Sequence, residues 1–179
     1  MPKQTKQVLT ENLIWRYLER FGAHIVSFVV SIVLARILVP EDYGIIELVT
    51  IFTTILQVFV DGGLGTALIQ KHNADDLDFS SVFYFNLVVC IVLYAILFVF
   101  SPFIANFYGD LSLTSIIRVI GITILISGVK GIQQSFVSRN MLFKRFFFAT
   151  LGGTLFSAVL GIVMAYDGYG VWALVAQQL

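Results

Sequence analysis

Residues 32–44 read IVLARILVPEDYG. An apolar run reaches Val39, the Pro40-Glu41-Asp42 step interrupts it, and a second apolar run climbs from Tyr43 to Gln70. Proline disfavours the helical conformation in the residue before it, so Val39 marks a helix end. The stretch predicts two long apolar helices joined by a tight turn. Arg36 sits one turn inside the first. A charge in hydrocarbon must face protein or water, so this arginine needs a reason.

Composition places the two helices in a membrane. Of 179 residues, 58% are hydrophobic and 12% charged, and the mean hydropathy is +0.91. A soluble domain carries about twice that charged fraction. Net charge is zero. No basic surface exists beyond the short links, so nucleic-acid binding is not expected. Cys90 is the only cysteine; disulfides and thiolate metal sites drop out, and it reads as a small buried hydrophobe. The N-terminal stretch is too long for a cleavable signal, carries Arg36 and lacks a small-x-small cleavage pattern. Function must reside in the spans and their short links.

Working outward from the turn, the first two spans cover about 13–39 and 43–70, and others follow at about 79–100, 115–137 and 146–166. A sixth apolar run begins at Val171 and ends at Leu179. It is too short to cross, because a helix needs about 20 residues to do so. The sequence is therefore expected to be the N-terminal part of a longer chain.

Two stripes of small residues recur every fourth position: Ala23, Ser27, Ser31 and Ala35 on the first span, and Ala149, Gly153, Ser157, Gly161 and Ala165 on the fifth. Gly121, Gly128, Gly131, Ser135 and Ser138 give the fourth a looser version. Inside lipid, helices associate through close backbone approach, and small residues allow it. Tight helix packing is the expected role; a sugar-lined passage is the other reading.

Arg16, Glu19 and Arg20 stand near the start of the first span, and six charges within the spans need weighing: Arg20, Arg36, Glu47, Asp61, Arg118 and Lys130. Around an antiparallel turn, residues equally far from it share a depth, so Arg36 matches Glu47 and Arg20 matches Asp61. Angle restricts this. At 100° per residue Glu47 and Asp61 lie about 40° apart, whereas Arg20 and Arg36 are about 160° apart. Both pairs cannot share one seam of a straight hairpin. Arg36 and Arg118, both near the same membrane face, suit an anionic group such as phosphate; snorkelling to lipid phosphates accounts for each equally well, and for Lys130 too. Asp61 and Glu47 are candidate gating or coupling acids. Asp61-Gly62-Gly63-Leu64-Gly65 reads as a helix kink or close contact, or as a hinge or coupling-ion site at Gly62, Gly63 and Gly65.

Catalytic chemistry finds no support. His24 and His72 stand far apart with no metal-ligand cluster, and Asp75, Asp76 and Asp78 lack the glycine and distal glutamate of a calcium loop. There is no phosphate-binding glycine loop and no serine–histidine–acid arrangement. No metal and no cofactor is expected.

The segments VLARILVPEDYG (33–44), FVDGGLGTALIQ (59–70), FIANFYGD (103–110), RNMLFKRF (139–146) and GYGVWALVAQQL (168–179) resemble polysaccharide exporters of the Wzx type, in the multidrug/oligosaccharidyl-lipid/polysaccharide flippase superfamily. The nearest branch is the colanic acid and teichuronic acid exporters, and the resemblance covers nearly the whole chain. It implies an all-α polytopic membrane bundle, with residues 1–179 as the N-terminal lobe of a two-lobed transporter: five complete transmembrane helices and the start of a sixth. It further implies movement of undecaprenyl-pyrophosphate-linked oligosaccharide repeat units across the bacterial inner membrane for surface polysaccharide or lipopolysaccharide biosynthesis, alongside a polymerase or assembly machinery. On this reading Arg36 and Arg118 receive the anionic carrier lipid, and the fragment alone does not transport. The alternatives are a drug or ion antiporter of the same superfamily, a membrane-embedded glycosyltransferase or polymerase, and a non-transporting scaffold of the polysaccharide machinery. The glycosyltransferase would need a large extracytoplasmic loop or an acidic metal motif, and neither is present.

Lysine and arginine set the orientation. Lys3, Lys6, Lys71, Arg139, Lys144 and Arg145 fall at the N-terminus and in the second and fourth links, and none falls in the first, third or fifth. The positive-inside rule makes the basic side cytoplasmic. In intact cells, a cysteine replacing Leu111 in the third link reacts with a membrane-impermeant maleimide. One replacing Asn73 in the second link reacts only after permeabilisation. The opposite labelling pattern inverts the topology.

Overall fold

The computed structural model describes residues 3–60, 62, 68, 75–140 and 143–179; the side chains of residues 3–13, 19, 76, 139, 140 and 145 lie outside that description. Its elements are α1 (Lys3–Ile37), α2 (Pro40–Val60), α3 (Asp76–Tyr108), α4 (Ser112–Asn140), α5 (Phe143–Tyr166) and α6 (Val171–Gln178). There is no strand among the described residues. Five stretches are long and apolar enough to cross a membrane: Ile14–Ile37, Pro40–Val60, Leu77–Tyr108, Ser112–Ser138 and Phe146–Tyr166. The chain is an all-α, multi-pass membrane protein. Large apolar side chains such as Phe28, Val58 and Phe107 are exposed, and in a bilayer lipid covers them.

The turn at Pro40 is tighter than its sequence suggests. Only Leu38 and Val39 separate α1 from α2, because helix resumes at Pro40 itself and not at Tyr43. Proline is well suited to a first helical position, where its missing N–H would be unpaired anyway, and Glu41 and Asp42 favour the positive end of the helix dipole. At its far end α2 stops at Val60, and Gly62 lies in a bend. A Cβ on Gly62 would stand 3.1 Å from the Phe59 carbonyl oxygen. The regular helix thus does not continue unbroken to Gln70. Asp61, Gly63 and Gly65 lie outside the described residues.

The third span is longer than expected at both ends. Asp75 caps α3: its carboxylate accepts from the Asp78 amide at 2.9 Å, and Asp78 accepts from the Asp75 amide at 3.3 Å. This reciprocal cap satisfies two otherwise unpaired helix-end donors and gives the acidic link a structural role. The helix then runs through Pro102 to Tyr108. Pro102 has no N–H for the Phe98 carbonyl. The Ser101 hydroxyl supplies a donor instead, at 2.8 Å, so hydrocarbon meets no orphaned carbonyl at the break. Gly109, with φ 74°, ends the helix, and its amide reaches the Ala105 and Asn106 carbonyls. Beyond it the Asp110 carboxylate accepts from the Ser112 amide at 2.9 Å. The Ser112 hydroxyl and amide together hold that carboxyl below its ordinary range.

Two helix pairs carry most of the packing, α3 with α4 and α1 with α5; α6 and α2 fill the space between them, α6 against α5, α2 and α4, and α2 chiefly against α4. The hairpin partners in sequence, α1 and α2, are not a packed pair among the described residues. The inward side chains of α1 explain this. Val30 and Leu34 are buried and Val26 is half-buried, whereas Ser27, Ser31 and Ala35 of the small-residue stripe, each one position further on, are exposed; at the start of the stripe Gly22 and Ala23 are both half-buried. A one-position offset is about 100° around the axis. A Cβ on Gly22 would press on Leu151 of α5 at 3.2 Å. On α5 only the later half of the stripe, Ser157, Gly161 and Ala165, is turned inward, while Ala149 and Gly153 are exposed.

Two of the three fourth-span glycines behave as the sequence suggests, whereas a Cβ on Gly131 would meet nothing within 4 Å. A Cβ on Gly121 would meet Leu97 at 2.9 Å and the Tyr94 ring at 3.1 Å. One on Gly128 would overlap the Cys90 sulfur. Asn86 reinforces the same contact by donating to the Gly128 carbonyl at 3.2 Å. Gly128→Ala is therefore expected to destabilise the detergent-solubilised protein by about 1–3 kcal/mol, as overpacking does. Adding Cys90→Ala should restore most of the loss by removing the sulfur. Thermal unfolding of both variants checks this, and an additive double mutant rejects the contact.

Candidate functional site

The bundle is polar where α2, α4 and α6 meet around a cleft open to the surface. Thr50, Thr53, Thr54 and Gln57 recur on α2 at the three- and four-residue spacing of one helix face. Thr123, Ser127 and Lys130 do the same on α4. With Gln178 at the end of α6 they line a cleft of about 310 Å³, bordered on α4 by Ile120 and Ile126. The Thr53 hydroxyl donates to the Thr50 carbonyl at 3.1 Å, and the Thr123 hydroxyl to the Ile120 carbonyl at 2.6 Å. Their protons are spent on their own helices, which leaves oxygen lone pairs for the cleft. The Gln178 amide donates to Thr50 Oγ1 at 3.4 Å and ties α6 to α2 across it. Leu179 completes the lining; no side-chain carboxylate lines the cleft among the described residues, and Lys130 is its one side-chain cation. Such a surface offers neutral hydrogen bonds and a single positive charge.

A smaller groove of about 190 Å³ lies on the other side of α6, where Ser27 of α1, Thr154 and Ser157 of α5 and Gln177 of α6 converge. Consecutive glutamines of one short helix thus serve two polar spaces. At the basic end, Trp15 packs against Phe147 and Phe148, with ring centroids at 5.5 and 6.1 Å, and the Lys144 ammonium lies 5.5 Å from the Trp15 ring. The Arg16 guanidinium is 5.7 Å from the Phe143 ring. These contacts clamp the starts of α1 and α5 together with aromatic and cationic groups suited to a headgroup layer.

The charged residues singled out by sequence take separate places. Arg118 is half-buried between α4 and α3: its Nε donates to Ser101 Oγ at 3.0 Å, and its guanidinium lies 4.0 Å from the Phe98 ring. It braces the serine that repairs the Pro102 break. Arg36 is exposed near the end of α1, and Glu47 is exposed on α2. Neither they nor Arg118 line the cleft. Arg36 and Glu47 form no ion pair with each other, and Asp61, the depth partner of Arg20, lies outside the described residues. The cleft itself escaped the reading of charges. Its signal was the hydroxyl and amide spacing of TxxTTxxQ at 50–57.

The family model for polysaccharide biosynthesis proteins matches residues 33–179. The chain belongs to that family. The match agrees with the resemblance to Wzx-type exporters drawn from the sequence motifs. Among relatives, the succinoglycan biosynthesis transport protein ExoT of Rhizobium meliloti is 27% identical over 176 residues, covering 98% of this chain and 36% of that protein. The teichuronic acid biosynthesis protein TuaB of Bacillus subtilis is 30% identical over 161 residues, covering 89% of this chain and 32% of TuaB. A membrane protein of the cps region of Klebsiella pneumoniae is 22% identical over 153 residues, 83% of this chain and 32% of its own length. The chain thus spans about a third of the length of these relatives. No solved structure matches it.

A hydrated cleft in this polysaccharide biosynthesis protein is directly testable. Val58, the neighbour of Gln57, is exposed on the outside of α2. With Cys90 replaced by alanine, Gln57→Cys reacts readily with a charged methanethiosulfonate reagent, and Val58→Cys, facing lipid, stays largely unlabelled. Equal labelling of the two removes the cleft as an aqueous space.

Proposed function

We propose that this chain is the N-terminal lobe of a polysaccharide exporter that moves lipid-linked oligosaccharide repeat units, carried on undecaprenyl pyrophosphate, from the inner to the outer leaflet of the bacterial inner membrane. The observation that carries the reading is the hydroxyl- and amide-lined cleft within a membrane bundle of a polysaccharide biosynthesis family. Sugar hydroxyls are recognised by neutral donors and acceptors of this kind, and polar groups inside a membrane mark substrate paths. The names of ExoT and TuaB, which speak of succinoglycan transport and teichuronic acid biosynthesis, point the same way. The reading makes the protein a transporter and assigns it no catalytic residue.

In this scheme Arg36, exposed near the extracytoplasmic end of α1, and Arg118, on the same side of α4, attract the anionic part of the carrier at the outer end of the path. Glu47 and Asp61 serve as gating or coupling acids, and Gly62, Gly63 and Gly65 give the end of α2 its freedom to bend.

The test is polysaccharide export in cells that depend on the full-length protein. Thr54→Val with Gln57→Leu should lower export by about tenfold at normal membrane abundance, the scale of about one net hydrogen bond lost. Lipid-linked repeat units should accumulate on the cytoplasmic side. Arg36→Gln should reduce export without changing thermal stability. Export at the wild-type level in the double variant, with normal abundance, rejects the cleft as the sugar path.

A further inference from the structure

The starts of α1 and α5 hold cations to which the exporter reading gives no task. Arg16 and Lys144 cross over: the guanidinium of α1 stands 5.7 Å from the Phe143 ring of α5, and the ammonium of α5 stands 5.5 Å from the Trp15 ring of α1. Each charge is seated on an aromatic side chain of the opposite helix. Trp15 packs in turn on Phe147 and Phe148, and a Cβ on Gly22 would lie 3.2 Å from Leu151 and 3.8 Å from the Phe147 ring. The two helices therefore stay close over their first turns. Ile14 and Phe146 open their apolar stretches. Arg16, two residues inside one, and Lys144, two residues ahead of the other, bracket the layer where headgroups meet hydrocarbon.

Arg20 adds a third charge. It follows Arg16 by one turn on the same face of α1. Helical side chains lean toward the N-terminus, which here is the basic end, so Arg20 reaches back toward Arg16. All three cations are exposed, and among the described residues none of them meets a carboxylate. Like charges one turn apart repel each other. Glu19, the acid between the two arginines in sequence, offsets one charge at most and leaves two. The aromatic rings hold Arg16 and Lys144 in position without neutralising them. The cluster also stands apart from both polar spaces, since none of its residues lines either one. Ile14, Tyr17 and Phe148 beside it are exposed, so it faces lipid. A molecule bound here sits at the rim of the bundle and not on a path through it.

We propose that Arg16, Arg20 and Lys144 bind the headgroup of a resident phospholipid with two phosphates, whose acyl chains run over the exposed apolar side chains of α1 and α5. Charge complementarity selects it: the two positive charges left over match two phosphates. A zwitterionic lipid brings a cation of its own, and a lipid with one phosphate leaves one charge unmet. Basic pockets between transmembrane helices receive anionic headgroups in this way. The headgroup bridges the seam between α1 and α5 and so holds that pair together. The proposal does not depend on what the protein exports.

The test is the affinity of tetraoleoyl cardiolipin for the full-length protein in neutral detergent, measured by native mass spectrometry, with the melting temperature followed in parallel. Cardiolipin should raise the melting temperature, as a ligand of the folded state does, and phosphatidylcholine should not. Arg16→Gln with Lys144→Gln should weaken cardiolipin binding about tenfold or more, the scale of one charge-assisted hydrogen bond lost. Arg16→Lys with Lys144→Arg keeps both charges and should retain most of the affinity. Undiminished binding by the glutamine variant overturns the site. In the unaltered protein the affinity should fall as sodium chloride rises from about 0.1 to 0.5 M; an affinity indifferent to salt overturns the site even where the glutamine variant does not fold. Phosphatidylglycerol binding as tightly as cardiolipin overturns the two-phosphate assignment. Undecaprenyl pyrophosphate binding more tightly than cardiolipin, and losing that affinity in the glutamine variant, makes the occupant a prenyl lipid and overturns the resident phospholipid.

Discussion

The Phe98 carbonyl cannot be served by the residue one turn ahead, because that residue is Pro102. In water this would cost little. In hydrocarbon an unpaired carbonyl costs several kcal/mol, and no solvent relieves it. Much of the α3–α4 pair is arranged around this constraint. Ser101 turns its hydroxyl back to the carbonyl, Arg118 donates to the Ser101 oxygen, and the guanidinium settles over the Phe98 ring. An arginine, costly in lipid, and a serine thereby hold α4 to α3 at one end. Gly121 and Gly128 let the backbones close along the rest, and Asn86 adds a hydrogen bond to the Gly128 carbonyl.

With α3 and α4 fixed, the polar residues of the other helices find their places. The hydroxyl face of α2 turns toward α4 and α6 while Val58 and Phe59 face outward. A threonine can bond its own helix carbonyl and still present an oxygen, so the cleft stays hydrogen-bonding without stranding a donor. Its lining offers neutral hydrogen-bonding groups and carries few fixed charges. The positive charges instead stand at defined points: Arg16 and Lys144 at the basic end, Arg36 and Arg118 near the other, and Lys130 within.

Much of this was visible in the sequence, and the failures share a cause. Length and apolarity disclosed the membrane helices, and the quoted motifs pointed to the family that residues 33–179 match. Glycine spacing on α4 marked a true contact, because a glycine there permits an approach that larger residues forbid. Helical period shows which residues share a face but not which neighbour that face meets. Hence α1 turned out to pair with α5 and not with α2, and its packing stripe sat one position from the small residues. Pro40 and Pro102 misled for a related reason. A proline's effect depends on whether its missing N–H was needed, and at Pro102 a serine hydroxyl supplied the substitute. Charge marks Arg36 and Arg118 in the sequence, whereas the four α2 residues that line the cleft are neutral and carry no such mark.

Gln177 and Gln178 are adjacent on α6, so their side chains leave the helix about 100° apart, one into each polar space. A Cβ on Gly161 would stand 3.1 Å from Gln177 Cβ and 3.2 Å from the Ala173 carbonyl, so α5 and α6 are closely packed. The two spaces therefore share one wall, the α6 helix, and a substitution that repacks α6 against α5 alters the lining of both at once.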